Sequence, residues 1–167
     1  MPADVPPLPS GLRRRLEAMR SSRRERAALR RWEAGGRSGP PPAMAKRALL
    51  VETGRAYGLR CLVETGTYLG DTVEAMRSTF ERVVSVELSQ PLHERAGRRF
   101  AGVANVTLLQ GDSGDVLTEL VPTLREPCLF WLDGHYSAGF TALGELETPI
   151  VKELEAVFAS PSRGTWC

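Results

Sequence analysis

Residues 43–167 predict an α/β fold built on a doubly wound, mainly parallel sheet, and three observations carry that reading. From residue 60 onward, apolar runs of 4–6 residues alternate with segments patterned as helices. Runs of that length between helices are the signature of strands buried on both faces. The first run, Cys61-Leu62-Val63, feeds through a glycine turn (Gly66, Gly70) into a helix start at Asp71 and Thr72. Each of the four runs also ends at a carboxylate, namely Glu64, Glu87, Asp112 and Asp133. In an open parallel sheet, ligands bind beyond the carboxyl ends of the strands, so four acidic residues at one edge point to a site.

The elements follow in order. Residues 1–10 are proline-rich, and Ser10 is suited to cap a helix over 11–34. Residues 35–42, Gly-Gly-Arg-Ser-Gly-Pro-Pro-Pro, end that helix and prevent its restart, which places a domain boundary between 1–42 and 43–167. A helix over about 43–57 ends near Gly58. Strand 60–64 precedes helix 71–79, strand 82–87 precedes helix 90–101, and strand 105–110 precedes helix 114–121. Strand 127–132 leads through a glycine-containing loop to a last helix at about 144–158. Right-handed crossovers between parallel strands then make the sheet doubly wound.

The net charge of +2 hides an asymmetry. Residues 1–47 carry +8 and residues 48–167 carry −6, so a basic helical arm precedes an acidic domain. The arm suits a nucleic acid, an acidic lipid surface or an acidic partner. An organelle-targeting reading is interrupted by Glu17, Glu25 and Glu33. No run of 18 apolar residues exists, and the N-terminus lacks the apolar segment of a secretory signal, so a cytoplasmic location is expected. The three cysteines, Cys61, Cys128 and Cys167, are odd in number and form no CxxC, so they read as reduced thiols and not as a zinc site.

The strand ends narrow the ligand. Glu87 lies at the tip of the strand beside the glycine turn, where a carboxylate takes both ribose hydroxyls of a bound nucleoside. Asp112 is placed to accept from an adenine amino group. A dinucleotide fingerprint starting at Gly66 requires glycines where Tyr68 and Asp71 stand, and no Gly-Lys-Ser/Thr triplet exists. An acidic Asp71 at a helix start also repels a pyrophosphate. A ligand with ribose and adenine but no phosphate is S-adenosylmethionine, whose sulfonium and ammonium suit a rim of carboxylates.

The turn Glu64-Thr65-Gly66-Thr67-Tyr68-Leu69-Gly70, the strand Val84-Ser85-Val86-Glu87 and the turn Gly111-Asp112-Ser113 resemble the motifs of the class I S-adenosylmethionine-dependent methyltransferases. Val63 to Tyr68 together with Phe130-Trp131-Leu132-Asp133-Gly134-His135-Tyr136-Ser137 is similar to a largely uncharacterised bacterial group within that family. The resemblance covers roughly residues 44–158 and implies a Rossmann-like sheet of methyltransferase type. It implies that Thr65, Gly66 and Thr67, with Gly70 completing the turn, contact the methionine end of the cofactor, and that Glu64 reaches its ammonium. It implies further that Glu87 holds the ribose, Leu88 the adenine face, and Asp112 and Ser113 the adenine edge. Asp133 falls where relatives contact the methionine end or, in the metal-dependent O-methyltransferases, a metal.

The family sheet has seven strands and this chain supplies four, so the later strands are expected to be missing, by truncation or frameshift at the C-terminus or because the chain is a minimal version. The open sheet edge that results invites oligomerisation. Asp133 and His135 are the candidates for chemistry, with His135 placed to deprotonate a hydroxyl acceptor. Two possible ligands do not make a metal site, so none is expected. The reaction expected is methyl transfer to a small-molecule or sugar-type hydroxyl. One alternative is a cofactor-binding or inactive module whose arm binds a partner. Another is a nucleic-acid methyltransferase using the arm, which lacks the Asn/Asp-Pro-Pro-aromatic motif because Asp133-Gly134-His135-Tyr136 stands there.

Overall fold

In the computed structural model, residues 10–132 and 149–159 are described. They form two compact units, 1–49 and 50–167, with the division falling inside a helix. The first unit contains helix α1 (Ser10–Ala34) and the first part of helix α2 (Ala43–Ala56). Within it, Arg47 Nη1 pairs with Glu25 Oε2 at 3.2 Å and Trp32 Nε1 donates to the Gly39 carbonyl at 3.3 Å. No helix among the described residues is long and apolar enough to cross a membrane.

Among its described residues the second unit has four strands, β1 (Cys61–Thr65), β2 (Arg82–Glu87), β3 (Val106–Gln110) and β4 (Cys128–Leu132). They lie in the order β3-β2-β1-β4, and every pairing is parallel. The connecting helices are α3 (Asp71–Met76), α4 (Gln90–Arg99), α5 (Ser113–Leu120) and α6 (Pro149–Phe158), with a 3-10 turn at Val121–Thr123. Each of the four predicted strands is present within one residue at either end. Helix α3 is shorter than the 71–79 expected. Thr79 and Phe80 both turn their N–H groups onto the Met76 carbonyl, and Phe80 drops into the core just ahead of β2.

The register assigns the two faces. Paired residues on parallel strands point the same way, so Leu62, Val83 and Leu129 share one face and Val63, Val84 and Phe130 the other. The first face packs with Leu50 of α2, Val73 and Met76 of α3, Phe80, and Ala96 and Phe100 around α4. The second packs with Leu117 of α5, Val121, Leu124 and Val157 of α6. Helices therefore cover both faces, as a sheet of near-continuous apolar strands requires. Cys61 and Cys128 are register partners at the start of β1 and β4, buried and free. Their mutual contact and then burial push the Cys128 thiol above its ordinary range, which keeps it protonated at neutral pH. Cys167 lies outside the described residues.

The chain leaves β1 to β2 and β3 on one side and returns to β4 on the other. The reversal of direction lies between β1 and β4, and a crevice at the carboxyl ends of these two strands is where open α/β sheets take their ligands.

Candidate functional site

The turn after β1 is held open by backbone conformation. Gly66, Tyr68 and Gly70 all have positive φ, of 86°, 49° and 76°. Gly66 N–H and Thr67 N–H both donate to the Val86 carbonyl, at 2.9 and 3.1 Å, so the turn is stitched to the end of β2. Gly70 N–H closes it on the Thr67 carbonyl at 2.8 Å. A left-handed Tyr68 is uncommon for a bulky residue, and the structure shows what sustains it: its N–H donates to Glu87 Oε2 at 2.7 Å. The Tyr68 side chain is left largely exposed.

Glu87 is the last residue of β2 and is buried, with 7% of its surface exposed. Its second oxygen, Oε1, accepts from Ser89 N–H at 2.9 Å. A carboxylate has about four lone-pair positions. Two backbone donors thus fix the orientation of Glu87 and leave acceptor capacity for two hydroxyls. Leu88, beside it, is 62% exposed, an apolar surface free for a flat ring.

Glu64 is the next-to-last residue of β1, one position before its carboxyl end. It is 2% exposed, and its Oε1 accepts from Ser85 Oγ at 2.7 Å. Ser85 is its register partner on β2 and is fully buried. Thr67 Oγ1 stands 2.5 Å from Ser85 Oγ. Because the Ser85 proton is directed at Glu64, Thr67 donates to Ser85, and a buried relay Thr67–Ser85–Glu64 runs from the turn into the sheet. Ser85→Ala is expected to lower stability by about 1–3 kcal/mol, since it leaves two buried polar groups short of a partner. Urea unfolding measures the loss, and an unchanged midpoint would remove the relay as a stabilising element.

Thr65, at the end of β1, is 1% exposed, and its Oγ1 has no hydrogen-bond partner among the described residues. A buried hydroxyl without a partner is costly, which marks the position as one that expects a polar group from outside the described set. Asp112 caps α5, its Oδ1 accepting from Asp115 N–H at 3.2 Å. Lys152 of α6 lies 2.6 Å from Asp115 Oδ1 and 3.9 Å from Asp112 Oδ1. Ser113 is the first residue of α5, and Gly111, two residues before it, has a φ of 147°.

The structure therefore brings together Glu64, Thr65, Gly66, Thr67, Gly70, Glu87 and Leu88 around the β1 turn and the tip of β2. Asp112 and Ser113 stand at the neighbouring tip of β3. Asp133 and His135 lie outside the described residues. Two supporting residues had no functional reading in the sequence. Ser85 was visible as the one polar residue between the valines of β2. Arg99 was not, because its partners are 28 and 30 residues away: its Nη1 donates to Asp71 Oδ1 at 2.7 Å and to the Leu69 carbonyl at 2.5 Å. That pairing compensates the charge of Asp71, so the repulsion of a phosphate by Asp71 is weaker than the sequence implies. The missing glycines at Tyr68 and Asp71 remain as the sequence features that depart from a pyrophosphate-binding turn.

No protein-family model and no curated protein matches the chain. Solved structures match it in fold. The Escherichia coli protein yhhF, a candidate methyltransferase, superposes with a TM-score of 0.50 at 10% identity over 72% of this chain and 62% of its own. The O-methyltransferase TomG of Streptomyces achromogenes, solved with S-adenosylmethionine, has 23% identity over 65% of this chain and 52% of its own, with a TM-score of 0.49. An O-methyltransferase of Bacillus cereus, solved with S-adenosylhomocysteine, has 19% identity over 65% and 53%, with a TM-score of 0.46. The chain thus spans between 52% and 62% of the length of these structures. The parallel order β3-β2-β1-β4, the helices on both faces and the yhhF superposition agree with the resemblance read in the motifs: the second unit has the Rossmann-like α/β fold of the class I S-adenosylmethionine-dependent methyltransferases.

Proposed function

We propose that the second unit binds S-adenosylmethionine at the carboxyl ends of β1, β2 and β3 and transfers its methyl group to a hydroxyl of a small molecule or sugar. The observation that carries this reading is Glu87. It is a buried carboxylate at the tip of β2, oriented by Tyr68 N–H and Ser89 N–H, with room to accept from both hydroxyls of a ribose. The residues present fit the cofactor on further counts. The unpartnered Thr65 hydroxyl and the positive-φ turn from Gly66 to Gly70 suit the methionine end, where backbone must approach closely. Exposed Leu88 suits an adenine face, and Asp112 and Ser113 its edge.

When bound, S-adenosylmethionine supplies a methyl group on a positively charged sulfur. The acidic groups Glu64 and Glu87 would favour a positively charged cofactor over a neutral analogue. The chain's contribution to rate is positioning, because displacement at the methyl carbon requires an in-line nucleophile. His135 takes the proton of a hydroxyl acceptor in this reading, and Asp133, which like His135 follows β4 in the sequence, is the second candidate for chemistry.

Isothermal titration of the full chain with S-adenosylmethionine tests the proposal. Saturable binding with one site is expected, competed by S-adenosylhomocysteine. A folded protein that takes up no cofactor at millimolar concentration would sink it. Binding without turnover on any hydroxyl acceptor would leave a cofactor-binding module instead of an enzyme.

A further inference from the structure

Helix α1 carries a second surface, independent of the proposed cofactor site. At about 100° per residue, Arg23, Arg24, Arg26, Arg30 and Arg31 fall within an arc of about 160°. All five are exposed, and none forms an ion pair among the described residues. Ala27 and Ala34 lie inside the arc, so the helix backbone can come close to whatever the arginines meet, and exposed Glu33 stands at its margin. The opposite arc, with Glu25, Ala28, Leu29 and Trp32, is half-buried. Glu25 is engaged by Arg47, and Trp32 donates to Gly39 and lies 5.9 Å under the Arg37 guanidinium.

That division of faces decides between polyanions. A helix that lies in a lipid surface must turn an apolar face to the acyl chains. Here Ala28, Leu29 and Trp32 are half-buried on the opposite side, and among the side chains described the arginine side presents one large apolar group, Met19 at 55% exposed, too little apolar surface to enter acyl chains. The charged side chains of α1 that are basic are all arginine, with no lysine. A guanidinium offers a planar fork that matches a phosphate in two parallel hydrogen bonds. From Arg23 to Arg31 the helix rises about 12 Å, and with side chains it is about 10–12 Å wide, close to the width of a DNA major groove. Arginines on both flanks of such a rod reach phosphates of both strands.

We propose that α1 seats on double-helical nucleic acid and holds its phosphate backbones through Arg23, Arg24, Arg26, Arg30 and Arg31, without reading sequence. Fluorescence anisotropy of the full chain with a labelled 20-base-pair duplex, as DNA and as RNA, tests it across a salt series. With five phosphates neutralised, log K is expected to fall against log salt with a slope of about −4.5, roughly 500-fold between 50 and 200 mM. Replacing all five arginines by glutamine should abolish most of that slope while circular dichroism stays unchanged. The milder pair Arg30→Gln and Arg31→Gln should lower it by about 2. Two unrelated duplex sequences should bind within about threefold of each other. A slope near zero, an unchanged affinity in the five-fold variant, or tighter binding to phosphatidylserine vesicles or polyglutamate than to duplex at equal salt would each overturn the proposal.

Discussion

Glu87→Ala is expected to lower the affinity for S-adenosylmethionine by at least about 100-fold. Two ribose hydroxyls lose a charged acceptor, and hydrogen bonds to charged groups contribute about 1.5–3 kcal/mol each. The same carboxylate orients the turn through Tyr68 N–H at 2.7 Å and Ser89 N–H at 2.9 Å, so part of the loss acts through loop geometry. Glu87→Gln separates the two contributions. Its single carbonyl oxygen can replace one of the acceptors but not both, and its amide group faces N–H donors, so it should also bind weakly. Thermal unfolding without cofactor isolates the structural share, because only that share lowers the midpoint of the free protein. Titration calorimetry reads the binding, and an affinity unchanged in Glu87→Ala would remove the ribose assignment.

Gly70→Ala is expected to destabilise the second unit by about 2–5 kcal/mol. Gly70 is the N-cap of α3 with φ 76° and ψ 24°, a left-handed conformation that costs an L-residue about 1–2 kcal/mol. A Cβ there would also stand 2.7 Å from Phe100 Cε2 and 3.1 Å from Cζ. Crowding of that kind in a packed site adds about 1–3 kcal/mol. The aromatic ring cannot retreat easily, since Phe100 is 5% exposed and sits in the core with Val73 and Ala96. Adding Phe100→Leu should return the crowding part and leave the backbone part. Urea unfolding measures both variants, and a loss below about 1 kcal/mol for Gly70→Ala would contradict the geometry. Cofactor affinity should fall with it, because the turn that Gly70 ends is the proposed methionine site.

The two expectations illustrate different degrees of legibility. Gly70 announced itself in the sequence: a glycine before an acidic helix start requires a backbone reason. Its partner Phe100 did not, being 30 residues away on the exit of α4. Glu87 was readable as a strand-end carboxylate, because the apolar run Val83-Val84-Ser85-Val86 stops there. That it locks a left-handed Tyr68 was not readable, since the chain offers no local sign that Tyr68 has positive φ. Glu64 shows the limit most plainly. It was readable as a carboxylate at the end of the first strand, and the structure has it one residue from that end; its pairing with Ser85 was not readable, because only register brings a hydroxyl opposite it. The helix α3 was overestimated by three residues because Arg77, Ser78 and Thr79 do not break a helix by composition. The packing of Phe80 beneath the sheet draws the chain out of it.

The amino-acid sequence alone determined the alternation of strands and helices, the glycine turn after β1, the carboxylates at the strand ends and the concentration of arginine in α1. These are local properties, written in side-chain periodicity, backbone permissiveness and charge, and they need no partner to be read. Only the tertiary structure decided the order β3-β2-β1-β4, the pairing of Glu64 with Ser85, the hold of Arg99 on Leu69 and Asp71, and which side of α1 leaves its arginines exposed. Each of those depends on contacts between residues far apart in the chain. Many registers satisfy the same apolar pattern, and the one that buries both faces while setting Ser85 opposite Glu64 is chosen by packing.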